Sequence, residues 1–103
     1  MQRYNIDVQL KAQLDAERID DYIRYILLNP KAADDFINCL EMSYNKIANN
    51  PHGFSIEWIA NKAYRRALVK DYIVLFRIDE QTHTVHIVAI GHSLQKRKNI
   101  VKQ

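Results

Sequence analysis

The heptapeptide Tyr72-Ile73-Val74-Leu75-Phe76-Arg77-Ile78 decides the fold, because its first five residues leave no polar face. β-Branched and aromatic residues favour a strand, and a strand that is apolar on both faces lies inside a sheet rather than at its edge. Two similar stretches flank it, Arg65–Val69 before and Val85–Ile90 after. The intervening Lys70-Asp71 and Glu80–His83 are predicted to be hairpin turns.

The N-terminal half predicts one strand and two helices. Alternating apolar and polar residues indicate a strand over Tyr4–Leu10, and apolar residues three or four apart from Leu14 onward indicate a helix. Asn29-Pro30 ends this helix and begins the next, as N-cap and first helical residue, and the second helix ends at Asn49. The apolar face of the first helix is predicted to comprise Ile19, Tyr22, Ile23, Ile26 and Leu27. So short a junction makes the two helices an antiparallel hairpin.

Two segments show no regular spacing of apolar residues. Residues 50–64 are interpreted as a long connection anchored by Phe54 and Trp58, and the basic segment Ser93–Gln103 as a short helix or a mobile tail. The predicted fold class is α+β with element order β-α-α-β-β-β in a single domain, residues 1–103. A helical hairpin packs on one face of a small, mainly antiparallel sheet, and the other face is partly open.

Composition restricts the class of protein. The chain has 103 residues, of which 48% are hydrophobic and 26% charged, as in a soluble globular domain. Its one cysteine, Cys39, cannot form an internal disulfide, and no apolar run approaches the roughly 18 residues that span a bilayer. The N-terminus also lacks the apolar stretch of a signal peptide. We therefore expect a cytoplasmic protein without a membrane partner.

Charge is divided unevenly along the chain. Residues 1–64 carry seven Lys/Arg against nine Asp/Glu, whereas residues 65–103 carry eight against three, which gives a net charge of +5. A basic C-terminal half suits an anionic partner, either a phosphate backbone or an acidic protein segment.

Several motifs in order resemble one family. They are Asp20-Asp21-Tyr22-Ile23, Asn29-Pro30-x-Ala32-Ala33-x-x-Phe36, Tyr64-Arg65-Arg66, Tyr72 to Glu80, and Val85-x-Ile87-x-x-Ile90-x-His92. Together they resemble the RelE/ParE superfamily of toxins from bacterial type II toxin–antitoxin modules, over nearly the whole chain. The resemblance implies a toxin that stops growth when free and is neutralised by a cognate antitoxin. RelE-like members cleave messenger RNA on the ribosome, whereas ParE-like members inhibit DNA gyrase.

RNA cleavage by 2′-hydroxyl attack needs a base, an acid and cations that hold the phosphate, but no metal or other cofactor. The candidates for these roles are Arg66, Arg77 and His92. Strand alternation places Arg77 on the same face as Ile73 and Leu75, which is the open face if the opposite set packs on the helices. Further cations are predicted to bind RNA, phosphate or a protein partner: Arg65, Lys70, Lys96, Arg97 and Lys98.

Two positions depart from the nuclease pattern. RelE-like nucleases usually carry an arginine where this chain has Ile73, and a C-terminal tyrosine where it has Asn99. Three functions therefore remain open: a ribosome-dependent mRNA endoribonuclease, a ParE-like gyrase inhibitor that acts by binding, and a degenerate member that only binds its antitoxin. His83 and His86 are interpreted as turn residues rather than as a metal pair.

Overall fold

A computed structural model describes residues 3–102, which form a five-stranded sheet with helices against it. The strands are β1 (Asn5–Val8), β2 (Ile56–Ile59), β3 (Lys62–Val69), β4 (Tyr72–Asp79) and β5 (Thr84–His92). The helices are α1 (Leu10–Asp21), which continues into a π-helical turn (Tyr22–Ile26), α2 (Pro30–Asn49) and α3 (Arg97–Lys102), and a 3₁₀ turn (Pro51–Gly53) follows α2. The sheet order is β1-β5-β4-β3-β2, and only β1 and β5 pair in parallel. The predicted α+β class and mainly antiparallel sheet are confirmed.

Strand β4 lies at the centre of this sheet, as its sequence predicts. Ile73, Val74, Leu75 and Phe76 are all completely buried, so the strand is shielded on both faces. The predicted hairpin turns join it to β3 at Lys70-Asp71 and to β5 at residues 80–83.

The helices α1 and α2 form the predicted hairpin and cover one face, which we call the helix-layer face. The Asn29 side chain caps α2 by accepting a hydrogen bond from the Ala32 amide at 3.1 Å. The buried residues of this layer include Ala12, Ile23, Ala33, Phe36, Leu40, Ile47, Val74, Phe76, Val85 and Ile87. No helix within residues 3–102 is both long and apolar enough to cross a membrane.

The opposite face, which we call the open face, carries a second and smaller apolar cluster. It consists of Ile59, Tyr64, Ile73, Leu75, Ala89 and Ile100. Helix α3 contributes Ile100 and lies so close to β5 that a Cβ atom added at Gly91 would stand 2.6 Å from Ile100 Cγ1. The C-terminal segment was expected to be either a short helix or a mobile tail, and residues 97–102 form the short helix. Gln103 lies outside the described residues.

The predicted long connection over residues 50–64 is wrong in part. Instead, β2 and the first residues of β3 form a hairpin whose turn residues, Ala60 and Asn61, have φ values of 49° and 66°. Two successive positive φ values are typical of a type I′ turn, but alanine is an unusual residue there and the sequence signal is weak. Phe54 does anchor the segment, with its ring 5.6 Å from that of Phe76. Trp58 does not, because it is 71% exposed on β2.

The first helix also differs from its prediction. It begins at Leu10 rather than Leu14, so Leu10 does not belong to the preceding strand. Ile23 is buried as expected, but Tyr22, Ile26 and Leu27 are exposed. The π-helical turn over residues 22–26 has more residues per turn than an α-helix, so the regular spacing of three and four no longer keeps these side chains on one face.

Asp15 has a buried carboxylate that accepts a hydrogen bond from the unpaired edge of β5. Strand β1 ends opposite Ile87, so the amide of Ile90 has no strand partner, and it donates instead to Asp15 Oδ2 at 3.0 Å. Lys11 Nζ lies 2.8 Å from the same carboxylate, and Arg18 forms a second ion pair with it. The Asp15 side chain, only 3% exposed, thus joins α1 to the sheet.

We expect Asp15→Ala to lower the free energy of unfolding by about 2 to 4 kcal/mol, since it leaves a buried amide without an acceptor and removes the partner of two cations. Chemical denaturation measures this loss. The matched control is Asp35→Ala, which removes an exposed carboxylate 4.0 Å from Lys31 and should cost less than about 0.5 kcal/mol. Equal losses in the two variants would contradict the role assigned to Asp15.

Candidate functional site on the open face of the sheet

Arg77 is the central cation of the open face. It lies on β4 with Ile73 and Leu75 on the same side, as strand alternation predicts, and its side chain is exposed. Within residues 3–102 its guanidinium group forms no ion pair at 4.0 Å or less. It is therefore available to an anionic group of a partner.

A histidine lies directly beside Arg77. His86 occupies the facing position on β5, and facing side chains in a sheet have Cβ atoms about 5 Å apart. His86 Nδ1 lies 2.7 Å from Asp7 Oδ2 on β1, and Nε2 lies 3.9 Å from Asp79 Oδ2. The interpretation of His86 as a turn residue is wrong, because the parallel pairing of β1 with β5 places it within the sheet next to Asp7.

Glu57 on β2 holds two of the predicted functional arginines. Its Oε1 lies 3.3 Å from Arg66 Nη1, and its Oε2 lies 2.8 Å from Arg97 Nε. Arg97 Nη1 also donates to the carbonyl oxygens of Ser93 and Gln95, at 2.8 and 3.1 Å. These contacts link β2, β3 and the start of α3 and partly neutralise both cations.

His92 lies on the other face of the sheet. Its cross-strand neighbour is Tyr72, a residue of the helix-layer face, and the two rings meet edge-on at 5.4 Å. His92 Nδ1 accepts the Leu94 amide at 3.1 Å, so the neutral ring carries its proton on Nε2. Along β4, Tyr72 is five residues from Arg77, which is about 17 Å at the usual rise of a strand. The structure therefore does not bring His92 and Arg77 together.

The other predicted cations are dispersed. Arg65 lies on the helix-layer side, where its Nη1 donates to the carbonyl oxygens of Phe54 at 2.7 Å and His52 at 3.3 Å. Lys70 is exposed in the β3–β4 turn with a φ of 57°. Lys96 and Lys98 are exposed on either side of Arg97. Of these, only the lysines beside Arg97 extend the positive charge of the open face.

A cavity of about 350 Å³ opens where β3 and β4 diverge, next to Arg77. Its lining includes Arg65, Arg77, His52 and Glu80. The Glu80 carboxylate lies 2.9 Å from His52 Nε2 and accepts a hydrogen bond from the Tyr4 hydroxyl at 3.0 Å. These two contacts hold the pKa of Glu80 below its usual range, with the His52 contact the larger cause. Desolvation is the largest cause that raises the pKa of Tyr4, and the hydrogen bond to the Glu80 carboxylate raises it further.

Comparisons with known proteins agree with this architecture. The family model for the ParE toxin of the type II toxin–antitoxin system parDE matches residues 6–97. The chain belongs to the ParE toxin family. It is a toxin of a type II toxin–antitoxin system, and the resemblance to the RelE/ParE superfamily is confirmed.

A solved structure similar to this ParE-family toxin is the toxin–antitoxin complex RelBE2 from Mycobacterium tuberculosis. The TM-score is 0.63 at 19% sequence identity, over 89% of this chain and 93% of that one. At this identity the likeness is one of fold. No curated protein matches the sequence.

Sequence reasoning missed two residues of the open face of this toxin. His86 alternates with Thr84 on β5, which is a weak sign of strand position, but nothing in the sequence pairs it with Asp7. Glu57 lies in the segment interpreted as a connection, so its contacts with Arg66 and Arg97 were not foreseeable without β2.

The pKa of Glu80 provides a test of the cavity geometry. We expect its carboxyl group to titrate below the ordinary glutamate value of 4.5, and His52→Ala to move that pKa upward. Because the pKa is depressed in the folded state, the stabilisation is present above about pH 4.5 and lost as the pH falls through the folded value. Carboxyl ¹³C titration by NMR measures both pKa values. An unchanged pKa of Glu80 in His52→Ala would contradict the contact assigned to His52.

Proposed function

We propose that this ParE-family toxin arrests growth by binding DNA gyrase rather than by cutting RNA, and that a cognate antitoxin neutralises it. The observation that carries the proposal is the separation of the predicted catalytic groups. Arg77 lies on the open face, His92 lies at the far end of the opposite face, and Arg66 is engaged with Glu57.

Cleavage by 2′-hydroxyl attack requires these groups to act on one phosphodiester. A general base must come within about 3 Å of the proton that it removes, while the cations contact the same phosphate. Two groups on opposite faces of a sheet, about 17 Å apart along a strand, do not satisfy that requirement. The trio of Arg66, Arg77 and His92 therefore does not support a cleavage mechanism.

The departures from the nuclease pattern agree with this reasoning. Ile73, at the position where nucleases usually carry an arginine, is completely buried in the open-face cluster. Asn99 is exposed on α3 at the place of the usual tyrosine. Ile73 and Asn99 supply neither the cation nor the acid–base group that the nuclease pattern has at these positions, which favours binding of a protein over cleavage.

A second candidate, a metal-independent endoribonuclease, has one observation in its favour. His86 lies beside Arg77 and is oriented by Asp7, an arrangement that a proton-transfer site uses. Both ring nitrogens of His86 already face carboxylates, however, at 2.7 Å for Asp7 and 3.9 Å for Asp79. We therefore rank this function second.

Two assays on the purified toxin separate these functions. We expect inhibition of gyrase-catalysed DNA supercoiling at micromolar toxin, and intact messenger RNA on translating ribosomes treated with the same toxin. Cleaved ribosome-bound RNA together with unimpaired supercoiling would overturn the proposal in favour of the nuclease.

A pair of substitutions tests which face acts. Arg77→Ala should weaken gyrase inhibition by about tenfold to a hundredfold, because it removes the exposed cation at the centre of the proposed contact. His92→Ala, on the opposite face, should change inhibition by less than about twofold. Dose–response curves in the supercoiling assay measure both. Equal losses in the two variants would show that the sites act together, contrary to the geometry.

A further inference from the structure

Two arginines, Arg65 and Arg77, line the cavity of about 350 Å³ that opens where β3 and β4 diverge. We propose that this cavity binds a phosphomonoester, that is, a phosphate group carried on a planar aromatic body, as in a nucleoside 5′-monophosphate. Such a ligand site is additional to the proposed contact with gyrase and does not depend on it.

The cavity forms because two neighbouring strands separate. Strands β3 and β4 stay paired as far as Arg65 and Phe76, and the next pair in this register, Ala63 with Ile78, is not formed. Beyond that point β3 follows β2, while β4 follows β5. The opening between the strands is therefore accessible to side chains from both faces of the sheet, which is why arginines of opposite faces line it.

The separation also turns backbone groups toward the cavity. The Arg66 amide donates to the Ser55 carbonyl oxygen on β2 at 3.1 Å, so the residues on either side of Arg66 direct their backbone groups toward β4. By the same alternation the backbone groups of Ala63 face the opening from β3, and those of Ile78 face it from β4. The N–H group of Ile78 thus points to a place where it can donate to an anion.

Two carbonyl oxygens fix the side chain of Arg65. Its Nη1 donates to the carbonyl oxygens of Phe54 at 2.7 Å and His52 at 3.3 Å. Within residues 3–102, neither its Nε nor its Nη2 takes part in a hydrogen bond or an ion pair. A guanidinium group held by one nitrogen presents its other N–H groups as a planar fork, which matches the oxygens of a phosphate group.

Positive charge exceeds negative charge around the cavity. Arg77 has no ion-pair partner in the part of the chain that the structure describes. Of the described residues that line the cavity, only Glu80 is acidic, and its carboxylate is engaged by His52 at 2.9 Å and by the Tyr4 hydroxyl at 3.0 Å. Two guanidinium groups favour a phosphomonoester, which carries up to two negative charges, over the singly charged phosphodiester of a nucleic acid.

Apolar side chains form most of the remaining lining. They are Ile56, Ala63, Tyr64, Phe76 and Ile78. Small-molecule sites combine walls of this kind with a few placed polar groups, and their volumes begin at about 300 Å³. The cavity therefore accommodates a body attached to the phosphate group, and its apolar walls favour an aromatic one.

NMR titration of ¹⁵N-labelled toxin with adenosine 5′-monophosphate tests the site. The amide signal of Ile78 and the Nε–H signals of Arg65 and Arg77 should shift together with one dissociation constant. Adenosine, which lacks the phosphate group, should bind at least about tenfold more weakly because it makes no charge-assisted hydrogen bonds. Equal affinity for adenosine, or shifts confined to other lysines and arginines of the surface, would overturn the proposal.

Inorganic phosphate separates the two parts of the ligand. It should shift the same three signals, but at a higher concentration than the nucleotide because it has no aromatic body to pack against the apolar walls. Equal affinities for inorganic phosphate and the nucleotide would overturn the assignment of an aromatic body.

Substitutions of single cations test the two arginines. Arg65→Lys keeps the charge but loses the planar fork, whereas Arg77→Gln removes the charge. Each should weaken the binding of adenosine 5′-monophosphate by about tenfold. Lys31→Gln is the matched control, since it removes one charge from an exposed side chain of α2 outside the cavity, and it should change the affinity by less than about twofold.

Equal weakening in all three variants would show a general effect of net charge and would overturn the site. Arg77 is exposed, so Arg77→Gln decides the result even if Arg65→Lys does not fold. Because the toxin is titrated alone, a failure to inhibit gyrase would overturn the proposed function and leave the binding measurement unaffected.

Discussion

The complete burial of β4 is the constraint on which the rest of the structure depends. Four consecutive residues without solvent contact require a cover on each face of the sheet. The helical hairpin supplies one cover, and the smaller cluster that contains Tyr64 and Ile100 supplies the other. Gly91 is part of this constraint, because a Cβ atom there would stand 2.6 Å from Ile100 Cγ1 and force the Ile100 side chain of α3 to move.

The extent of the smaller apolar cluster determines which side chains of the open face remain accessible to a partner. The apolar cluster ends beyond Leu75, and Arg77 is the next residue on that face of β4. Its neighbours are the paired His86 and Asp7 on one side and the Glu57-bound arginines on the other. Among the residues that the structure describes, the face therefore has one exposed arginine without an ion pair, Arg77, next to several paired side chains, which suits a surface that binds a large partner.

The sequence predicts what local patterns determine and misses what depends on pairing between distant strands. The apolar run of β4, the N-cap at Asn29 and two of the hairpin turns are local signals, and each is confirmed. Strand β2 was missed because residues 50–64 show no clear period, and Trp58, which was interpreted as an anchor, is exposed at the sheet edge. The neighbours of His86 and Arg66 depend on the β1–β5 and β2–β3 pairings, which no periodicity indicates.

Several connecting turns have left-handed backbone conformations at residues other than glycine. Within residues 3–102, positive φ values occur at Leu28, Ala60, Asn61, Lys70 and His83, whereas neither glycine has one. A left-handed conformation costs a residue with a Cβ atom about 1 kcal/mol or more, except where asparagine tolerates it. The fold thus retains strain that glycine at Ala60 or Lys70 would relieve at the tips of two hairpins. Backbone strain in this toxin is thus concentrated in its connecting loops, and relief by glycine competes with the entropy that glycine adds to the unfolded chain.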